Sequence, residues 1–179
     1  RPYQLPPFDL IKNEHFEPAI ERGMAEHLAE IEAIARQEAA PTFENTIVAM
    51  QKSGAILDRA AGVFYSLVSA DTNDTLEALR GKIAPKMAAH RDSILLNSAL
   101  FERVKKLYAA RDSSDLDPES TMLLETVHRD FVRAGANLSP DDKEKLKSFN
   151  AELAALQTQF SQNVLKEVNA LAVVVDSRE

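Results

Sequence analysis

Apolar residues recur at helical spacing along most of the chain, and most regularly in its last third. There they follow one another at steps of three or four, which places them on one face of an α-helix. The spacing predicts a helix from Pro140 to about Leu171, which would be roughly 48 Å long at 1.5 Å per residue. Such a helix is too long to bury this face alone, so we expect the other helices to pack on it. The residues, here named the apolar stripe, are Leu146, Phe149, Leu153, Leu156, Phe160, Val164, Val168 and Leu171.

The start of this helix is marked by residues that favour a helix N-terminus. Ser139 is suited to capping the free backbone N–H groups, and Pro140 fits the first helical position. Asp141 and Asp142 place negative charge at the positive end of the helix dipole. We expect the charges from Lys143 to Lys147 to form a solvated helix face.

The same periodicity of apolar residues, with capping residues, prolines and glycines at the segment ends, predicts five further helical segments. Pro85 lies inside one of them, so we expect a kink or a break near Ala84. Gly54 and Gly62 lie inside another, where they mark either close helix contacts or simple tolerance of glycine. The segments run from Asn13 or Glu17 to about Ala39, from Thr42 to about Leu67, from Thr72 or Asn73 to Leu96, around Leu100 to Tyr108, and from Asp117 to Gly135.

Both chain ends differ from the helical middle. Residues 1–12 contain three prolines, which predicts an extended arm whose apolar side chains pack against the bundle. Ala172–Asp176 contains three consecutive valines, and β-branched residues favour an extended segment. The sequence therefore predicts an all-α fold. We expect one helical domain over 1–179: an arm (1–12), an elongated bundle of about six to seven helices (13–171) and an extended tail (172–179).

Composition supports a helical fold and narrows the classes of partner. Hydrophobic residues make up 45% of the chain, charged residues 27%, and only five residues are glycine. The net charge of −7 argues against a nucleic-acid or anionic-membrane partner. No apolar run approaches the ~18 residues that span a bilayer. The absence of cysteine excludes disulfides and cysteine nucleophiles, and suits the cytoplasm and the periplasm alike.

No residue pattern indicates a catalytic or metal site. None of the four histidines has another histidine three or four residues away, so the zinc-peptidase motif H-E-x-x-H is absent. His27 with Glu30 is the nearest approach, and we interpret His27 as a surface or packing residue. His128-Arg129-Asp130 lacks the context of a kinase loop. We interpret these as polar helix residues, with Asp130 pairing with Arg133 or Arg129 bridging to a neighbour. We therefore assign no catalytic residue and no metal ligand to the chain.

Four motifs, in order along the chain, resemble the N-terminal region of the thimet-oligopeptidase-like zinc metallopeptidases. The similarity is greatest to the bacterial peptidyl-dipeptidase branch, also called dipeptidyl carboxypeptidase, with oligopeptidase A as a near relative. Together the motifs cover essentially the whole chain. They are L-P-P-F-D-L-I-K-N-E-H-F-E-P-A-I (Leu5–Ile20), A-P-T-F-E-N-T-I (Ala40–Ile47), H-R-D-F-V-R-A-G-A-N-L-S (His128–Ser139) and F-S-Q-N-V-L (Phe160–Leu165).

The resemblance implies a role without catalytic residues in this chain. In the family, H-E-x-x-H and the glutamate that completes the zinc site lie far downstream, so zinc is expected in the parent enzyme and not here. The matched region is the helical wall of a channel that admits short peptides and excludes folded proteins. Which residues would line that channel, and so bind substrate, is left unassigned.

The resemblance also implies partners, and one alternative stays open. The expected partners are the C-terminal catalytic domain of the same polypeptide and, in the parent, short peptide substrates. We expect the surface that meets the catalytic domain to be exposed and apolar, and the chain to self-associate, with Val173–Val175 adding to a neighbouring chain. The alternative is a free-standing helical interaction or adaptor domain. An H-E-x-x-H motif encoded beyond Glu179 distinguishes the two.

Overall fold

The computed structural model describes residues 5–171, and within this range the chain consists of helices joined by turns and loops and contains no β-strand. The predicted all-α fold, the number of helices and the long C-terminal helix are confirmed. Residues 1–4 and 172–179, including the predicted extended segment at 172–176, lie outside the described range. The helices are α1 (Phe16–Ala35), α2 (Ala49–Lys52), α3 (Ala55–Ala70), α4 (Asp74–Leu95), α5 (Ser98–Ala109), α6 (Pro118–Arg133) and α7 (Pro140–Ala170), with a π-helical segment (Phe43–Val48) leading into α2.

Side-chain caps fix where several helices begin, as the sequence indicates. Ser139 accepts a hydrogen bond from the backbone N–H of Asp142 at 3.2 Å, and Asp117 does the same for Ser120 at 2.9 Å. Each bond satisfies one of the backbone donors that a helix start leaves free. Asn73, Asn97 and Thr42 cap α4, α5 and the π-helical segment in the same way.

The core consists of two apolar clusters, and α1 contributes to both. The first half of α1 packs with α3 and α4 around Phe64, which is fully buried. The second half packs with α5, α6 and the π-helical segment around Phe131 and Leu100. Because one helix supplies residues to both clusters, the clusters are held in a fixed relation by α1.

Two expectations about helix interruptions are corrected by the structure. The predicted helix from Thr42 to Leu67 is divided at Gly54, whose φ of +78° is a left-handed conformation that favours glycine. By contrast, α4 runs without interruption through Pro85, so of the predicted kink or break near Ala84 the break is wrong. Buried residues on both sides of Pro85, Ile83 and His90, hold α4 against its neighbours, and this packing outweighs the backbone hydrogen bond that proline removes.

The N-terminal arm also differs from expectation. Its apolar side chains were expected to pack on the bundle, but Leu5, Phe8 and Leu10 are exposed. Ile11 packs against the cluster around Phe64. A backbone bond from Leu10 to the carbonyl of Pro7 at 2.8 Å folds this part of the arm into a turn.

Among the described helices, none is both long enough and apolar enough to cross a membrane.

Candidate functional site

The apolar stripe of α7 faces solvent. Phe149 is 66% exposed and Phe160 is 71% exposed, and only Leu146 is half-buried among the stripe residues. The expectation that the other helices pack on this stripe is therefore wrong, although the helix itself has the predicted extent. The exposed members are Phe149, Leu153, Leu156, Phe160, Val164, Val168 and Leu171.

A more polar face of α7, beside the apolar stripe, packs on the bundle. Lys143 is buried, and its Nζ donates to the Leu96 carbonyl at 3.2 Å and to Ser98 Oγ at 2.9 Å. These acceptors lie where α4 ends and α5 begins, so the ammonium group ties the start of α7 to both helices. The expectation that Lys143 belongs to a solvated face is corrected, because a lysine stem crosses apolar surface while its charged end reaches polar acceptors.

Two amides continue this polar contact along α4. Asn150 Nδ2 lies 2.9 and 3.0 Å from the two carboxylate oxygens of buried Asp92. Gln162 Nε2 donates to the Glu77 carbonyl at 2.6 Å. Thr158 is buried between them and bonds within its own helix. At about 100° per residue, Thr158 lies about 180° around the helix from Phe149. Leu146 and Leu153, by contrast, lie within one turn of Asn150, so the apolar stripe borders the buried face on one side and turns furthest from it at Phe149.

Grooves run beside α7 where it crosses α4, and stripe residues form their outer walls. One groove of about 710 Å³ is lined by Tyr65, Arg80, Met87, Leu156 and Phe160. A second, of about 330 Å³, lies beside Leu146 and Leu153. Burial raises the pKa of the Tyr65 hydroxyl, and the Arg80 charge opposes this rise. The stripe and its grooves form one continuous candidate interaction surface.

His27 of α1 and His90 of α4 meet inside the bundle, which the sequence does not indicate because they are 63 positions apart. His90 Nε2 lies 3.0 Å from His27 Nδ1, and His27 Nε2 lies 3.1 Å from Ser53 Oγ. Burial lowers the pKa of His27, opposed by Glu30 and Asp58, and burial and the neighbouring His27 lower the pKa of His90. Both rings are therefore expected to be neutral near pH 7.

The direction of each bond in this group follows from the serine. Ser53 Oγ donates its one proton to the Met50 carbonyl at 2.7 Å, so it accepts from His27 Nε2. His27 Nδ1 is then the acceptor, and His90 Nε2 must donate to it. Since His27 donates to the serine, it cannot take the serine proton as a general base would. The group is a structural network and does not have the arrangement of a serine nucleophile.

Acidification should destabilise the fold through these two histidines. Their pKa values lie below the ordinary 6.5 in the folded state, so their contribution to stability is complete above about pH 6.5 and is lost as the pH falls towards the folded values. A proton on His27 Nδ1 would set it against the His90 N–H. Urea denaturation between pH 7.5 and 5.5 should show a falling free energy of unfolding.

A matched pair of variants tests this assignment. His90→Gln should flatten the pH dependence, whereas His15→Gln should keep it, because His15 is exposed and contacts the backbone of Lys12 instead. Equal slopes in both variants would show that other groups control the acid response.

The remaining sequence motif with candidate chemistry, His128-Arg129-Asp130, has structural contacts. The His128 ring stacks on Tyr108 at 3.8 Å between centroids, and the Arg111 guanidinium lies 4.2 Å above the same tyrosine ring. Burial and the charges of Arg111 and Lys105 lower the pKa of His128. Arg129 donates to Thr126 Oγ1 at 3.1 Å, which is one of the two contacts that the sequence suggested. The motif therefore stabilises the packing of α5 on α6.

The described residues do not fit a zinc ion. Within 5–171, no three side chains of histidine, cysteine, aspartate or glutamate lie close enough together to hold a metal. The two neighbouring histidines, His27 and His90, are hydrogen-bonded to each other through His27 Nδ1 and His90 Nε2. Any zinc that the family resemblance implies has no place among these residues.

Comparison with known proteins gives two groups of relatives. The sequence is 44% identical to the dipeptidyl carboxypeptidase of Salmonella typhimurium over 98% of this chain and 26% of that protein, and 42% identical to that of Escherichia coli over the same shares. It is 27% identical to the oligopeptidase A of Haemophilus influenzae over 90% of this chain and 24% of that protein. No protein-family model matches the sequence. The chain thus spans about a quarter of the length of these curated relatives.

Proposed function

Since the chain fits the thimet oligopeptidase and oligopeptidase A family, we propose that it is the N-terminal, non-catalytic helical region of a longer peptidase. The observation that carries this proposal is 44% identity to a dipeptidyl carboxypeptidase over 98% of this chain but only 26% of that relative. The parent enzyme would remove dipeptides from the carboxyl ends of peptides, as the name of that relative states, and in this proposal its substrates are short peptides.

In this proposal the chain forms one wall of the substrate channel and restricts access to short peptides. A narrow channel does this sterically, because an unfolded peptide threads it and a folded domain cannot. Zinc and the residues that bind it would lie in the C-terminal catalytic domain of the same polypeptide, in the cytoplasm or the periplasm.

The first test of the proposal is the nucleotide sequence of the gene. The reading frame should continue beyond the codon of Glu179 and encode H-E-x-x-H. The complete polypeptide should then release dipeptides from the carboxyl end of short peptides, lose this activity with a zinc chelator and regain it with added zinc. The chain 1–179 alone, assayed with added zinc, should show no turnover.

The competing function is a free-standing helical adaptor, which the exposed apolar stripe would also serve. A frame that stops after Glu179, or a complete polypeptide without H-E-x-x-H and without peptidase activity, would favour the adaptor and overturn the peptidase proposal. Turnover by the chain alone would contradict the statement that it carries no catalytic site.

A further inference from the structure

We infer that the apolar stripe of α7 is the surface on which the remaining part of the longer polypeptide packs. This inference rests on the proposed function and assigns one face of one helix to the contact between the two parts. The sequence motifs imply that such a contact exists, but they do not show where it is.

The first argument is the amount of apolar surface that α7 exposes. An aromatic side chain presents roughly 150–250 Å². At 66% and 71% exposure, Phe149 and Phe160 together present on the order of 200–350 Å². The other exposed stripe residues extend this apolar surface along the helix. Monomeric proteins rarely expose a contiguous apolar patch larger than a few hundred Å², so this surface indicates a partner.

The second argument is the absence of charge. Between Leu153 and Leu165 the sequence contains no aspartate, glutamate, lysine or arginine, although this half of α7 is largely exposed. At 1.5 Å per residue the uncharged stretch is roughly 18 Å long. Solvated helix faces normally carry charged residues, and interface cores are depleted in them. The composition of this stretch therefore matches an interface core.

The third argument is that α7 is fixed in this orientation. Lys143, Asn150 and Gln162 bind acceptors on α4 and at the start of α5, and rotation of the helix to bury the stripe would break these bonds. Buried Lys143 and Asp92 would also lose their partners, which is costly for charged groups. The bundle therefore holds the stripe outwards and cannot cover it by a simple turn of the helix.

The occupant follows from the length of the relatives. The chain covers 26% of the dipeptidyl carboxypeptidase of Salmonella typhimurium, so about three quarters of such a polypeptide lies outside this structure. The stripe has helical spacing over roughly 33 Å from Phe149 to Leu171, which suits apolar helices laid along or across it. We therefore assign the stripe to the same polypeptide and not to a second copy of the chain.

Single cysteines provide the test, because residues 1–179 contain none. Phe160→Cys and Leu156→Cys are introduced separately into the complete polypeptide, with Met122→Cys as the control. Met122 lies on α6 and is 59% exposed, similar to Leu156 at 55%. The rate of alkylation of each introduced cysteine is measured by peptide mass spectrometry, in native and in urea-unfolded protein. Peptide resolution separates these sites from any cysteine in the rest of the polypeptide.

The stripe cysteines should react at least about tenfold more slowly in the native than in the unfolded protein, because interface cores are packed like protein interiors. Met122→Cys should react at similar rates in both. Stripe cysteines that react as fast as the control would overturn the inference. Protection that disappears on dilution would also overturn it, because a second copy would then be the occupant.

A charge variant covers the case in which cysteine itself disturbs the contact. Leu156→Glu with Phe160→Glu should lower the melting temperature of the complete polypeptide and its peptidase activity, whereas Met122→Glu should change neither. Unchanged melting temperature and activity in the double variant would contradict the inference.

If the polypeptide cleaves peptides but the stripe is unprotected, only this inference fails. If it has no peptidase activity, the proposed function fails, and the labelling still reports whether the stripe is covered.

Discussion

Arg103→Ala should lower the free energy of unfolding by about 3 kcal/mol or more, because it removes a buried charge whose five N–H groups all have acceptors. Arg103 lies on α5 and is 7% exposed. Its Nη1 donates to the carbonyls of Gln37 and Ala39, each at 3.0 Å, and its Nη2 donates to Asn45 Oδ1 at 2.9 Å and Gln37 Oε1 at 3.2 Å. Its Nε donates to Thr46 Oγ1 at 3.3 Å.

This geometry explains why the charge is tolerated inside the fold. The acceptors are neutral, and those of Gln37 and Ala39 lie just beyond the C-terminal end of α1, where the helix dipole favours a cation. Without the guanidinium, fully buried Thr46 loses its contact with Arg103, and the segment between α1 and the π-helical segment loses its link to α5. The variant also leaves a cavity where the side chain lay.

Two further variants isolate the contribution of the guanidinium fork, with urea denaturation as the measurement. Arg103→Lys should restore only part of the lost stability, because a single ammonium cannot reach acceptors on three sides. Arg129→Ala should change the free energy of unfolding by no more than about 0.5 kcal/mol, since Arg129 is exposed and makes one side-chain bond. A fully stable Arg103→Lys protein would show that the charge alone is sufficient.

Helix ends could be predicted from the sequence because the residues that determine them are close in the chain. The Ser139 cap and the Asp142 amide that it binds are three residues apart, and the same holds for Asp117 and Ser120. Proline at the first helical position adds a second local signal in both helices. Such signals act before any tertiary contact forms, so they can be read directly along the chain.

The packed face of α7 could not be predicted for the opposite reason. Periodicity identifies two faces, and burial of the apolar one is the usual outcome. Here the decision depends on Asp92 and Glu77, the α4 residues that bind Asn150 and Gln162 from 58 and 85 positions away. Nothing local to α7 shows that these partners exist. The same separation hides the contact between His27 and His90, so the candidate interaction surface and the histidine network both became visible only in the fold.

The glycines also show that contacts between distant parts of the chain cannot be predicted from local sequence. The sequence drew attention to Gly54 and Gly62 as possible close contacts between helices. In the structure, Gly54 serves the left-handed turn between α2 and α3 and also lies close to α1, since a Cβ there would be 2.8 Å from His27 Nδ1. A Cβ placed on Gly62 would meet nothing within 4 Å. The close approach to another helix backbone is at Gly23 of α1, where a Cβ would lie 2.7 Å from Leu57 Cα. Helical periodicity does not distinguish these three glycines. Their surroundings depend on where α1 and α3 cross, which is determined by tertiary packing.

Gly23→Ala should therefore lower the free energy of unfolding by about 3 kcal/mol, in the upper range for overpacking a core. The added methyl would meet backbone atoms of Leu57, which cannot move aside as the end of a flexible side chain would. To make room, α1 and α3 must separate, and this disturbs the cluster around buried Phe64. Thermal and urea denaturation of the variant provide the measurement.

Gly62→Ala is the matched control, because it makes the same chemical change inside α3 where space is open. It should raise the free energy of unfolding by about 0.5–1 kcal/mol, since alanine loses less backbone entropy than glycine in a helix. The two variants should thus shift stability in opposite directions. If Gly23→Ala were as stable as Gly62→Ala, α1 and α3 could not cross as closely as the structure shows. The position of His27, one turn further along α1, would then also be in doubt, and with it the contact to His90 that underlies the acid response.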